Sequence, residues 1–252
     1  MIRFEEIQAI ADTGLTLGRD REFFARTWST APTLYEKRLR ALGFTGLGHV
    51  LDLGSGMGQW LRALAGMNEE VTGLEYSPER VAVSSEIIRR MELPNVRVIQ
   101  GPAETQPFAD HSFDAIFSYS VLLLTDYRKA LAEAYRVLKP GGRFYLNTNG
   151  LGWYIYNLVD GHNSSENFSA RDMAIDTLAN TIQYFATGQH RPGSSIVMPK
   201  ALTLAELENL GFKILAVDDE GKINLTGESG VSPFFPGEKY GHEAVYEILC
   251  VK

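Results

Sequence analysis

The segment Val50-Leu51-Asp52-Leu53-Gly54-Ser55-Gly56-Met57-Gly58 decides how this chain folds. A short, mostly apolar run leads into glycines at every second position, and Gln59-Trp60-Leu61-Arg62-Ala63-Leu64-Ala65 then reads as the start of a helix. A buried strand that turns sharply into a helix needs this composition. Glycine permits the tight turn and lets a ligand lie against bare backbone. The helix start offers free N–H groups to a polar partner. The segment reads as a cofactor loop of the nucleotide-binding kind.

Spacing narrows the choice of cofactor. A dinucleotide loop carries Gly-x-Gly-x-x-Gly, its third glycine allowing helix and strand to pack closely. Here Gln59 holds that third place and the glycine falls one residue earlier, at Gly58. Vicinal ribose hydroxyls are donors, so a carboxylate at the end of the following strand suits them. Glu75 closes Glu70-Val71-Thr72-Gly73-Leu74-Glu75, 21 residues after Gly54. Asp52-x-Gly54-x-Gly56-x-Gly58, followed by Glu75, resembles motif I and the acidic ribose ligand of the class I S-adenosylmethionine-dependent methyltransferases.

Further pieces extend the resemblance in the family's order from about residue 48 to 148. Gln100-Gly101-Pro102-Ala103-Glu104 with Pro107-Phe108 is similar to the adenine-holding segment after strand three, with Pro102 in the usual acidic position. Ser112 to Ser118 resembles the fourth-strand signature, and Leu138-Lys139-Pro140-Gly141-Gly142 the turn before strand five. Where such enzymes often carry a histidine after strand four, this chain has Val121-Leu122-Leu123-Leu124, so no catalytic histidine carries over there. In kind the chain resembles small-molecule, ubiquinone-biosynthesis-like methyltransferase domains. The resemblance implies an α/β, Rossmann-like, doubly wound seven-stranded sheet whose strand 7 is antiparallel.

It also implies roles. Asp52 braces the loop or the amino end of the methionine moiety, while Gly54, Ser55, Gly56 and Gly58 give backbone access. Glu75 takes the ribose hydroxyls. Tyr76, Ala103 and Glu104 edge the adenine, and Ser118 lies near the methionine amine. The cofactor is S-adenosyl-L-methionine and its product S-adenosyl-L-homocysteine.

Strands and helices alternate through this region, as a parallel sheet covered on both faces requires. Ser77-Pro78 opens the second helix and Asp126 the helix running to Leu138; Thr203 and Glu206 form a capping-box pair for a later one. Residues 1–47 read as helical, with Trp28 and Tyr35 as candidates to cover the site or as core aromatics. Residues 48–150 and 201–252 form the cofactor domain. Residues 151–200 read as a helical and aromatic cap inserted after strand 5, over the active site, with Ile175, Leu178, Ala179, Ile182, Phe185 and Ala186 on one helical stripe. Trp153, Tyr154 and Tyr184 are its candidate substrate contacts. A second long connection, Asp218 to Glu243, carries Pro233-Phe234-Phe235-Pro236. Both insertions leave the carboxyl ends of strands, where open parallel sheets bind ligands.

Composition sets outer limits. A net charge of −7 argues against tight, non-specific nucleic-acid binding, which leans on phosphate neutralisation. No apolar run approaches the roughly 20 residues of a membrane span, and no basic start with an apolar core opens the chain, so a cytoplasmic location is expected. The single cysteine, Cys250, and the lack of paired histidines suggest no metal site. The expected reaction is methyl transfer to O or N, or C, of a small-molecule acceptor, by a monomer or homodimer. An oxygen acceptor would want a general base, for which His162, His190, His242 and Tyr119 are candidates. A methyltransferase acting on protein or RNA is the alternative; a nicotinamide-dependent oxidoreductase and a non-catalytic cofactor-binding partner protein are further ones.

Overall fold

The computed structural model describes residues 3–252. Helices α1 (Phe4–Gly14), α2 (Gly18–Ser29) and α3 (Pro32–Ala41) come first, Pro32 beginning α3 where its missing N–H costs nothing. There follow β1 (His49–Leu53), α4 (Gln59–Ala65), β2 (Glu70–Glu75), α5 (Pro78–Arg90), β3 (Val96–Gln100) and β4 (Phe113–Tyr119). A 3-10 turn at Leu122–Leu124 leads to α6 (Tyr127–Val137) and β5 (Leu138–Asn149). The remainder is α7 (Leu151–Asp160), α8 (Ala170–Thr187), α9 (Lys200–Leu210), β6 (Lys213–Asp219), the short pair β7 (Glu238–Lys239) and β8 (His242–Glu243), and β9 (Val245–Val251).

The main sheet has the order β3-β2-β1-β4-β5-β9-β6. Its first five strands are parallel, and β9, the seventh strand expected from the sequence, runs antiparallel to both β5 and β6. Connections reverse direction between β1 and β4, which places the carboxyl end of β1 at a topological switch point. Strand alternation then supplies two cores. Leu51, Leu53, Ile116, Leu146 and Ile248 face α6 and α9, whereas Val50, Phe117, Tyr145 and Leu249 face α3 and α4.

Two local expectations need correction, both of helix caps. Asp126 does not cap α6 through its side chain; its carboxylate takes the Tyr184 hydroxyl at 3.0 Å and pairs with Lys129. Thr203 lies inside α9 rather than at its start, because its hydroxyl donates to Pro199 O and accepts from Tyr246. Residues 151–160 form α7 within the stretch read as a helical cap. In α8 the buried row is Ala170, Ala174, Thr177, Asn180 and Tyr184, so Ile175, Ile182 and Phe185 of the apolar stripe are exposed, while Leu178 packs beside Trp153 and Tyr154.

Arg38 is the largest fully buried side chain of the described residues. Its guanidinium reaches Glu220 at 2.5 Å, Glu247 at 2.7 Å and the Tyr145 hydroxyl at 3.1 Å. Burial works against its charge, but the surrounding Tyr145, Glu220 and Glu247 oxygens more than offset that and raise its pKa. Glu220 also accepts from the backbone of Phe234 and Phe235, and Glu247 from that of Ile223. One cation therefore ties α3, the sheet and the loop after β6 together. Removing one partner from such a cluster strands buried charge. Arg38→Ala is expected to cost roughly 3–5 kcal/mol of stability, measured by urea unfolding, whereas Arg40→Ala on the exposed side of α3 changes little.

Candidate functional site

The glycine turn is zipped onto the neighbouring strand. Gly54 and Ser55 both donate to Leu74 O, at 2.8 and 3.0 Å, and Gly56 N donates to Glu75 Oε2 at 2.9 Å. Two positions show why glycine is required. Gly58 starts α4 with φ of 87°, a left-handed conformation. Gly54 has φ of 77°, and a Cβ there would drive into the Val121 side chain. Val121 thus lies directly over the turn.

Glu75 is buried. Its second oxygen accepts from Ser77 N at 2.9 Å and lies 3.9 Å from Arg80. Arg80 is anchored in turn by Asp20 of α2. Asp52 is also buried, and its Oδ2 has no partner among the described residues. Burial, with the charge of Glu75 nearby, pushes the Asp52 carboxyl up to about 8. Ser55 Oγ and Ser118 Oγ are likewise buried without partners. Each of these three predicted ligand residues thus carries a buried polar atom that a polar partner could satisfy; strand alternation sets Asp52 on the sheet face of Val50 and Phe117, and Ser118 on the opposite face with Ile116 and Leu146.

The other predicted cofactor residues are less uniform. Ala103 is buried, with Gln106 donating to its carbonyl. Glu104 spends one oxygen on Asp126 N, at the start of α6. Tyr76 is 72% exposed beside Glu75.

Trp28 and Tyr35 are core aromatics in this structure. Trp28 Nε1 donates to Met57 O at 3.2 Å, with Arg62 over its ring, so it supports the turn from beneath the N-terminal helices. Tyr35 packs edge-on against Trp60, and its hydroxyl donates to Thr27 O. Tyr154 and Tyr184 are buried, with hydroxyls committed to Ile196 O and Asp126. Trp153 is buried against Phe235 and His162.

The four candidate bases are not brought together by any contact. His162 bonds the Tyr156 hydroxyl at 2.8 Å, His190 bonds Ser194 O at 3.0 Å, and His242 is exposed on β8. Tyr119 donates to Glu220 at 2.8 Å, and burial raises its hydroxyl well above the ordinary tyrosine range, which removes it as a base.

Two features escaped the sequence reading. Asn147, fully buried on β5, accepts from the backbone and hydroxyl of Ser120, which holds φ of 57° at the end of β4. Its Nδ2 is buried without a partner. The signal was present: Asn147 and Asn149 interrupt a strand that should be continuously apolar. Trp60, Tyr119 and Phe234 form an aromatic floor joining α4, β4 and the second long loop.

Comparison with known proteins agrees with this geometry. The fold is that of the class I S-adenosylmethionine-dependent methyltransferases. Residues 51–146 match the family model described as a methyltransferase domain. The uncharacterized methyltransferase YcgJ of Bacillus subtilis is 42% identical over 98 residues, which are 38% of this chain and 39% of the relative. A demethylmenaquinone methyltransferase of Listeria welshimeri is 38% identical over 99 residues, 38% of this chain and 42% of the relative. The chain thus spans about two fifths of the length of the curated relatives it matches. A geranyl diphosphate methyltransferase solved in complex with SAM superposes with a TM-score of 0.61 at 17% identity, covering 87% of this chain and 84% of that one.

Asp52 provides a test of the site's electrostatics. Its folded pKa of about 8 exceeds the unfolded value near 3.8, so the folded state holds the extra proton between those limits. Stability therefore falls as pH rises from about 4 to 8. Asp52→Asn is expected to raise the thermal midpoint at pH 8 by several degrees and to flatten its decline over that window, read by scanning calorimetry. The same substitution weakens ligand binding at the turn.

Proposed function

We propose that the chain binds S-adenosyl-L-methionine at the Gly54–Gly58 turn and transfers its methyl group to a small-molecule acceptor. The observation that carries this reading is the pair of buried carboxylates at the turn. Glu75 is clamped to Gly56 N, and Asp52 is buried with one oxygen free. Each Glu75 oxygen keeps a second lone pair beyond its backbone bond, so vicinal hydroxyls can be accepted without breaking the clamp. Asp52, with the free oxygen of its carboxyl, would hold the cationic portion of the ligand.

The cofactor supplies an already activated methyl group, so positioning and exclusion of water are the main tasks left to the protein. Residues 151–200 are read as the cap that performs them, with Trp153 resting on Phe235 and Phe234 meeting Tyr119. The base is not assigned to any of His162, His190 and His242. A small-molecule acceptor is supported by the demethylmenaquinone methyltransferase relatives and by the net charge of −7, which disfavours nucleic acid. Among the described residues no helix is long and apolar enough to cross a membrane.

Calorimetric titration with S-adenosylhomocysteine and with NADH tests the reading. Micromolar binding of the first alone is expected, and binding of NADH alone would overturn the assignment. Glu75→Ala should weaken S-adenosylhomocysteine binding tenfold or more, about 1.4 kcal/mol. Affinity for S-adenosylmethionine should climb from pH 6 to pH 8 as Asp52 loses its proton, then level off. A flat profile would detach Asp52 from the sulfonium or amine.

A further inference from the structure

Asn147 is fully buried on β5, two residues before the strand ends. Its Oδ1 accepts from Ser120 N at 2.7 Å and from the Ser120 hydroxyl at 3.2 Å. A backbone N–H can only donate, so the amide oxygen must face Ser120 and the amide nitrogen the other way. That Nδ2 is buried without a partner among the described residues. A buried donor left unmade is destabilising, and an apolar residue at this place in the strand would avoid it. Ser120 holds φ of 57°, a strained conformation for a residue with a side chain, and Val121 after it lies over Gly54. An orphan donor and a strained turn thus meet where β4 ends beside the glycine turn.

Strand register relates this donor to the cofactor loop. Asp52 pairs with Phe117 and Tyr119 with Asn147, so Asp52, Tyr119 and Asn147 stand on one face of the sheet. Two strand spacings and one two-residue repeat separate the Cα atoms of Asp52 and Asn147, about 12 Å. That span has room for a sulfonium and an acceptor beside it. We propose that Asn147 Nδ2 is the donor that recognises the methyl acceptor, and that the acceptor is a compound with an acidic hydroxyl, a phenol or an enol, held there as its anion. The proposal rests on the cofactor reading above and names the acceptor class within it.

Chemistry selects this class. An amide N–H would occupy the single lone pair with which an amine must attack, whereas an oxygen anion keeps further pairs free. The same bond favours the ionised form of a hydroxyl. No base is gathered at this end of the sheet among the described residues. Tyr119 gives its hydroxyl to Glu220, while His162 and His190 bond Tyr156 and Ser194. A hydroxyl that ionises by itself needs no such base. Its proton goes to water, an oxygen lone pair forms the new O–CH3 bond, and the C–S bond breaks with its electrons going to sulfur, which leaves neutral S-adenosylhomocysteine. The charged groups on this face are Asp52, Glu220, Glu247 and Arg38, and the Tyr119 and Tyr145 hydroxyls donate to the two glutamates. One arginine against two glutamates leaves negative charge in excess, so Asn147 and the sulfonium, rather than a protein cation, hold the anion.

4-Nitrophenol, yellow as its anion and nearly colourless when neutral, reads this out. Titrated by absorbance against pH in complex with the full chain and S-adenosylhomocysteine, it should show an ionisation constant about tenfold larger than in water. Asn147→Leu removes the donor at similar volume and should abolish that increase. Ser120→Gly alters the turn but leaves the donor, since glycine takes φ of 57° freely, and should keep the increase. Radiolabelled methyl transfer from S-adenosylmethionine should reach 4-nitrophenol or catechol and not benzylamine. A nitrophenol that does not bind, or that binds in its neutral form, overturns the inference. So does an increase that survives Asn147→Leu or is lost equally in Ser120→Gly, and so does transfer to benzylamine alone. Those results spare the cofactor reading, whereas a chain that fails to bind S-adenosylhomocysteine loses both. If Asn147→Leu does not fold, the titration of the unaltered chain decides.

Discussion

Three backbone donors in a row hold the molecule's active edge together. Gly54 and Ser55 give their N–H groups to Leu74 O and Gly56 gives its own to Glu75. A chain leaving a strand at positive φ would otherwise have its N–H groups unsatisfied at a partly buried bend. Pairing them with β2 fixes the turn against the strand that carries the buried Glu75 carboxylate. The direction of α4, the seat of Trp28 on Met57 O and the packing of Val121 over Gly54 all follow from that placement.

The same arrangement sets two carboxylates close together without an adjacent buried cation to neutralise both. Glu75 has Arg80 only at 3.9 Å, and Asp52 keeps an unpartnered oxygen. A protein selected for stability alone would replace Asp52 by a neutral side chain. Retaining it makes sense if a cationic ligand provides the missing charge.

Legibility in the sequence followed the range of the interactions. Residues 48 to 148 were readable because strand alternation, glycine punctuation and the spacing to Glu75 are local signals, and the sheet order agrees with them. Asp126 and Thr203 looked like helix caps by residue type, but distant tyrosines, Tyr184 and Tyr246, claim their oxygens. The Arg38 cluster was invisible for the same reason. Nothing local to Glu220 and Glu247 marks them as buried, because α3 delivers the guanidinium from more than 180 residues away in sequence. In α8 the spacing located the apolar stripe without saying which way it faces. Periodicity reports that a helix has two faces, whereas hydrogen bonds such as that from Val197 N to Thr181 Oγ1 decide which one the neighbours take.

Because β9 lies between β5 and β6, the sheet cannot close in the order in which the ribosome makes it. The edge strand β6 emerges before the strand that must separate it from β5, and its register is written entirely against β9. Until that later segment slots in, β5 presents an unpaired border to solvent. Assembly of the half bearing β5, β6 and β9 is therefore delayed relative to the nucleotide-fold half, which is wholly translated by then.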